Sequence, residues 1–231
     1  MSTSAPGPRV TGLETEFGLL CAPAGPSEAT KSDLPDVERA AALIFRHRPV
    51  GYRSTNLFLP NGGRLYLDIG AHPEYATAEC VSVRNLVAQD QAGRAILADM
   101  ATRAAAGLSQ EGTAVRFHLL ANNTDSAGHT YGCHESYSVP RSLLDATNDA
   151  SGASSETTMA VLTSFLATRP VLVGSGRPLA GGPTEPNDGS RGAGEEAAWG
   201  LSPRAPHLQA LTSADTTGQR ALVNTRDEPH A

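Results

Sequence analysis

Apolar and polar side chains alternate along several short stretches of the chain, and a period of two residues predicts β-strands with one buried face. The first stretch covers residues 10–20, where Leu13 and Phe17 fall on one face and Glu14 and Glu16 on the other. The sequence therefore predicts a strand over residues 10–20 that carries an apolar face and a carboxylate face.

A second alternating region is divided by a turn. Residues 56–59 and 64–68 flank a Pro-Asn-Gly-Gly sequence at 60–63. Asn-Gly between two such runs indicates a β-hairpin, because both residues accept positive φ angles. Residues 75–80 are expected to extend the same sheet.

Other stretches repeat at helical spacing or form further strands. Residues 36–47 predict a short amphipathic helix, with Asp33 as its N-terminal cap. The remaining elements are expected to be a long helix over 82–106, an antiparallel strand pair over 115–121 and 131–139, a helix over 157–168 and a strand over 170–173.

Three segments lack any periodic pattern. Residues 1–8 are small and polar and predict a disordered leader. Residues 180–198 contain hardly any apolar side chain and predict a mobile insertion, and a smaller one is expected at 147–155. The last residues form a dense polar run, which is typical of the interior of a longer protein.

Composition and charge exclude several function classes. The chain has 231 residues and a formal net charge of -6, with scattered arginines, so it lacks the basic surface of a nucleic-acid-binding protein. No apolar run approaches the ~20 residues that span a bilayer. Its 3 cysteines lie at irregular spacing, which predicts neither a disulfide framework nor a zinc site. We expect a cytoplasmic protein that binds neither nucleic acid nor membrane.

The polar strand faces carry the candidate chemistry. Arg64, Tyr66 and Asp68 share one face of a predicted strand, and Glu14 lies on the carboxylate face of the first strand, with Glu74 just beyond the hairpin. Oxygen ligands of this kind suit Mg²⁺, which bridges one or two carboxylates to substrate phosphates. The alternative is a solvated strand face with surface ion pairs. His72 and His134 are weaker candidates, since a lone histidine is more often structural.

The motifs together resemble the Pup ligase and Pup deamidase family of actinobacteria, which is related to glutamine synthetase and γ-glutamyl-cysteine ligase. The resemblance runs in order over residues 9–231. It is carried by Gly12-Leu13-Glu14-Thr15-Glu16-Phe17-Gly18, Asn61-Gly62-Gly63-Arg64-Leu65-Tyr66-Leu67-Asp68, His72-Pro73-Glu74-Tyr75-Ala76-Thr77-Ala78-Glu79-Cys80, Asn122-Asn123-Thr124-Asp125, Tyr131-Gly132-Cys133-His134-Glu135 and Asn224-Thr225-Arg226-Asp227-Glu228-Pro229-His230-Ala231.

The resemblance implies an α+β fold: an antiparallel sheet with helices packed on one face, as in the glutamine-synthetase-like carboxylate-amine ligases. Residues 9–231 would form the N-terminal part of the catalytic domain. Family members are roughly twice as long, so the C-terminal part and the C-terminal domain would be absent.

The resemblance also implies roles for single residues and a reaction. Glu14, Tyr66 and Glu74 would hold magnesium, Arg64 and Thr77 would contact ATP, and Asp68 would be the catalytic base. The implied reaction joins the side-chain carboxylate of the C-terminal Glu of Pup to a lysine of a target protein through a γ-glutamyl phosphate. The targets would thereby be marked for proteasomal degradation.

Two alternatives stay open beside the ligase. The deamidase branch, which deamidates or removes Pup, carries a long extra loop after the first glutamate strand, whereas only residues 19–60 lie there in this chain. Pro203 and Pro206 also depart from the family pattern, and the 180–198 insertion is unusual. An inactive fragment that binds Pup or another partner is the second alternative.

Overall fold

The structure is a computed structural model, and it describes residues 9–25, 34–49, 51–121, 124, 131–139, 153–174, 176–179, 198–214 and 219–225. The chain divides into two compact units, Met1–Ser138 and Val139–Ala231. The predicted leader at 1–8 lies outside the described residues, as does the predicted insertion at 180–198 except for its last residue.

The first unit is built on an antiparallel sheet. Five strands lie in the order β3-β4-β5-β1-β7, and β2 and β6 form a separate antiparallel pair. The elements are β1 (Thr11–Glu16), β2 (Gly18–Pro23), α1 (Val37–Phe45), β3 (Asn56–Phe58), β4 (Arg64–Asp68), β5 (His72–Ala76), α2 (Val83–Gln110), β6 (Val115–Leu120) and β7 (Cys133–Tyr137).

The apolar face of this sheet packs against α1 and α2. Leu57, Leu65 and Tyr75 from neighbouring strands are buried together with Ile44 of α1 and Leu97 of α2. The expected arrangement, an antiparallel sheet with helices on one face, is therefore confirmed. The opposite face keeps its polar side chains.

A hydrogen-bonded cluster ties the β3–β4 hairpin to α2. The Tyr75 hydroxyl donates to Gln89 at 3.0 Å, and the Asn61 amide donates to the Tyr75 oxygen at 2.9 Å. Gly62 has a φ of 82°, as the predicted turn requires. The Tyr75 ring also packs against Gly93 of α2, where a Cβ atom would overlap it.

The prediction of one strand over residues 10–20 was wrong. The strand is interrupted at Phe17, whose amide donates to the Pro73 carbonyl at 2.9 Å. Before the break β1 pairs with β5 and β7, and after it β2 pairs with β6. The alternation continues through the break, so periodicity alone does not reveal the change of partner.

Two further strand predictions need correction. Residues 72–76 form β5, whereas the strand was expected over residues 75–80. Pro73 misleads here because prolines are uncommon in strands. Residues 115–120 and 133–137 are strands, but they pair with β2 and β1 and not with each other.

Both predicted helices of this unit are confirmed, with different ends. The side chain of Asp36 caps α1 by accepting from the Arg39 amide at 2.8 Å; Asp33, the predicted cap, lies outside the described residues. Helix α2 runs on to Gln110. Its polar interruption at Asp90 is accommodated because the carboxylate accepts from Arg94 at 2.8 Å.

The second unit contains short elements: α3 (Ala153–Thr168), α4 (Pro170–Val173), β8 (Arg177–Leu179), β9 (Ala198–Gly200), β10 (Ala210–Ser213) and β11 (Ala221–Asn224). Residues 170–173 form one helical turn and not the predicted strand, because Val173 donates to the Arg169 carbonyl at 3.0 Å. Helix α3 begins at Ala153, within the smaller mobile insertion predicted at 147–155. None of the helices in the described ranges is long and apolar enough to cross a bilayer.

Candidate active site

The register of three strands brings five of the six predicted site residues to one face of the sheet. Tyr66 of β4 lies opposite Glu74 of β5, and Glu74 lies opposite Glu16 of β1. Residues directly opposite each other point to the same face. The polar face therefore carries side chains from four strands: Arg64, Tyr66, Asp68, His72, Glu74, Glu14, Glu16 and His134.

Tyr66 marks the centre of this face. Its hydroxyl lies within hydrogen-bonding reach of Glu74 and Glu14, so these two carboxylates, from different strands, converge on one phenol. Burial raises the pKa of Tyr66 far above its ordinary value, and the two carboxylates raise it further. The phenol therefore stays protonated and acts as a hydrogen-bond donor.

Glu74 is a buried carboxylate, with only 4% of the residue exposed. Burial raises its pKa to about 7, and the charges of Glu14, Asp68 and Glu16 raise it as well, whereas the hydrogen bond from Tyr66 lowers it. Burial is the main cause of this raised pKa, and the neighbouring carboxylates add to it.

Arg64 and Asp68 lie at opposite ends of β4. The Arg64 guanidinium stacks over the Tyr66 ring, 4.3 Å from its centroid, and its Nε donates to Asn56 at 2.9 Å. Asp68 is exposed and lies opposite His72 across a tight turn. Gly70 and Ala71 in that turn have φ angles of 88° and 61°. A positive φ is uncommon for alanine, so the backbone next to Asp68 has a restricted conformation.

Thr77 stands apart from this group. It follows β5, its amide donates to the Leu13 carbonyl at 2.8 Å, and its hydroxyl oxygen accepts from the Leu13 amide at 3.0 Å. These bonds join the end of β5 to β1. Thr77 therefore differs from the other five predicted site residues, because its hydrogen bonds are to the backbone of β1.

Three further side chains join the site without a predicted role. Glu16 lies 2.5 Å from the Nδ1 atom of His72, and its other oxygen accepts from the Gly132 amide at 2.5 Å. The Nδ1 atom of His134 lies 2.7 Å from Glu14. Because neighbouring strand residues point to opposite faces, the sequence alone places His134 and Cys133 on different sides of β7. Only the pairing of β7 with β1 shows that His134 is the residue on the side of the site.

Comparison with known proteins decides the family. A model of the Pup-ligase protein family matches residues 9–231. The chain belongs to this family. The resemblance found in the sequence motifs is thereby confirmed.

Curated relatives in the Pup-ligase family match nearly the whole chain. The Pup--protein ligase of Xylanimonas cellulosilytica is 44% identical over 223 residues, and that of Rothia mucilaginosa is 42% identical over 228 residues. Each match covers 96% of this chain and 43% of the relative. The chain therefore spans less than half the length of these Pup-ligase relatives.

Solved structures of Pup-ligase proteins confirm the glutamine-synthetase-like fold class. The ligase PafA in its complex with the prokaryotic ubiquitin-like protein Pup matches with a TM-score of 0.71 at 34% identity, over 96% of this chain and 39% of that chain. PafA in complex with ADP matches with a TM-score of 0.57 at 38% identity, over 89% of this chain and 41% of that chain.

The residues of this candidate site suit a hard cation that is shared with phosphates. Across the described residues, no three His, Cys, Asp or Glu side chains are spaced to enclose a metal ion by themselves. Glu14, Glu74 and Tyr66 nevertheless converge as an all-oxygen set, and a cation would favour the charged form of Glu74, which burial disfavours. Magnesium binds in this way, through few carboxylates plus substrate oxygens.

Proposed function

We propose that the chain carries the nucleotide-binding residues and the catalytic base of an ATP-dependent ligase. The ligase would join the side-chain carboxylate of the C-terminal Glu of Pup to a lysine of a target protein, which would mark the target for proteasomal degradation. The convergence of Glu14 and Glu74 on Tyr66, in a chain of the Pup-ligase family, carries the proposal. We further propose a cytoplasmic setting, which the irregular cysteine spacing favours.

Arg64 and Thr77 are the proposed nucleotide contacts. Arg64 lies beside the carboxylates on the same face, and a guanidinium binds phosphate oxygens in a fixed fork geometry. Its stacking on Tyr66 restricts its rotamers before a nucleotide arrives. Thr77, anchored to β1, would offer its hydroxyl proton from the far end of β5.

Glu14, Tyr66 and Glu74 would hold the magnesium ion. When bound, the cation would offset the charge of the triphosphate during phosphoryl transfer. Glu74 must lose its proton to act as a ligand, and its pKa of about 7 means that this occurs at neutral pH.

Asp68 is the proposed base for the second step. The carboxylate of Pup would first take the γ-phosphoryl group of ATP, releasing ADP and forming a γ-glutamyl phosphate. A lysine amine, with an ordinary pKa near 10.4, is mostly protonated at neutral pH and cannot attack until it loses a proton. Asp68 is exposed at the end of β4 and would accept that proton. Phosphate then leaves as the isopeptide bond forms.

The test separates chemistry from binding. The chain, or the chain co-expressed with the remaining part of a Pup-ligase relative, is given Mg-ATP, Pup ending in Glu and a lysine-bearing target. We expect ADP and a Pup–target conjugate. Asp68→Asn should abolish the conjugate while calorimetry still shows nucleotide binding.

Glu111→Gln is the matched control, because Glu111 is an exposed carboxylate at the end of α2 outside the site. It should change neither the yield of the Pup–target conjugate nor the nucleotide binding seen by calorimetry. Undiminished conjugation by Asp68→Asn would remove Asp68 from the mechanism. Ammonia release from Pup ending in Gln without conjugation would indicate the deamidase, and the absence of heat at millimolar Mg-ATP would indicate a fragment that only binds a partner.

A further inference from the structure

An open groove runs along β6 and the neighbouring face of α2. Its volume is about 580 Å³, and it is lined by all of β6, by Ala24 just after β2, and by Ala98, Ala101, Thr102 and Ala105 of α2. The four helix residues that line the groove are small. None of the proposed site residues lines it.

The backbone of β6 presents hydrogen-bonding groups to this groove. The Ala24 amide donates to the Ala114 carbonyl at 3.0 Å, which makes these residues a hydrogen-bonded pair. Antiparallel pairs alternate between bonded and non-bonded along the ladder. Val115, Phe117 and Leu119 therefore occupy non-bonded pairs with β2, and their N–H and C=O groups point outward. Pro23, which has no N–H, lies opposite Val115 as this pattern requires.

Within the residues that the structure describes, no strand pairs with this outer edge. The backbone groups of Val115, Phe117 and Leu119 likewise have no partner there. An unpaired strand edge is a template for one more strand, and proteins usually cover such an edge. An added strand would lie at the ~4.8 Å spacing of paired strands, next to the open groove that small residues of α2 line.

We propose that this edge binds one extended strand from the part of the Pup-ligase fold that lies outside the match with this chain. The match covers only 43% of the Xylanimonas cellulosilytica relative and 39% of the solved Pup-bound ligase, so most of the relatives' fold lies elsewhere. The added strand would continue the β2–β6 pair on its free side. The inference rests on family membership and not on the proposed reaction.

The groove also defines the chemistry of the strand. Side chains that face α2 must be apolar, because they would lie against Ala98, Ala101 and Ala105. The other face would lie beside Arg116, which is exposed and forms no ion pair with a described carboxylate. We therefore expect an acidic residue at that position of the strand.

The test uses residue-resolved amide exchange. The isotope-labelled chain is co-expressed with the unmatched part of the Xylanimonas cellulosilytica ligase, and NMR follows each amide of β6. In the complex, Val115, Phe117 and Leu119 should become protected, whereas Arg116, His118 and Leu120 are already protected by β2 and should not change. Only the addition of a strand to this edge produces that alternating response.

Two variants on the same helix test the groove itself. Ala98 is exposed and lines the groove, so Ala98→Trp should fill it and weaken binding by about tenfold or more. Ala106 is exposed on the same helix but does not line the groove, so Ala106→Trp should change binding by less than about twofold. Equal effects of the two variants would overturn the proposal.

Exchange in the chain alone provides a second test that does not depend on the partner. Val115, Phe117 and Leu119 should exchange rapidly in the isolated monomer. Protection there, or a dimer in which a second copy protects these amides, would contradict the proposed occupant. A partner that fails to bind, or that binds without protecting them, would contradict it equally.

Discussion

Glu74 shows how one buried side chain makes stability depend on pH. In the folded chain its pKa is raised to about 7 from 4.5. At a pH between these two values, Glu74 is protonated in the folded state and ionised in the unfolded state. Stability therefore falls as pH rises from about 4.5 to 7 and is lowest above 7, where the buried carboxylate is charged. The cost of that charge is about 3 kcal/mol at most.

We predict that Glu74→Gln is more stable than the wild type at pH 8, because it removes the buried charge. The gain should shrink as the pH falls towards 5, where the wild-type carboxylate already holds its proton. Urea denaturation at several pH values, without divalent cations, measures the difference. A gain that stays constant over this range would contradict the raised pKa of Glu74.

At the element scale, the contact between α2 and β5 fixes how closely helix and sheet approach. Gly93 faces the ring of Tyr75, and a Cβ atom there would overlap it. We predict that Gly93→Ala destabilises the chain by roughly 1–3 kcal/mol, because the ring or the helix must move. The change in urea midpoint measures this.

Gly107 is the matched control on the same helix. A Cβ at Gly107 meets nothing within 4 Å, so Gly107→Ala adds helix propensity without a clash. It should stabilise the chain by about 0.5–1 kcal/mol. Destabilisation by both variants alike would mean that the cost at Gly93 does not come from Tyr75.

The elements differ in how far local sequence could predict them. The β3–β4 hairpin and α2 follow from short-range signals: an Asn-Gly turn and an apolar stripe at helical spacing. The break at Phe17 has no such signal, because the alternation continues while the partner strand changes. Likewise, the prediction that residues 115–121 pair with 131–139 failed because pairing depends on contacts distant in sequence.

The assembly of the site could be predicted only in part, for a reason that concerns the whole molecule. Alternation within β4 places Arg64, Tyr66 and Asp68 on one face before any partner strand is known. His72 and His134 could not be assigned to that face, since their positions follow from the pairing of β4 with β5 and of β1 with β7. The register across the sheet therefore decides which polar residues meet.

The division of the chain into two units leads to a prediction about the whole molecule. All six predicted site residues lie within Met1–Ser138, and this unit has its own core between the sheet and two helices. Ser138 still belongs to it, because its amide donates to the Val10 carbonyl at 2.8 Å. We predict that a fragment of residues 1–138 unfolds cooperatively and binds Mg-ATP with about the affinity of the full chain. Circular dichroism and calorimetry on both proteins test this. Cooperative unfolding of the fragment without nucleotide binding, when the full chain does bind, would show that residues 139–231 contribute to the nucleotide site.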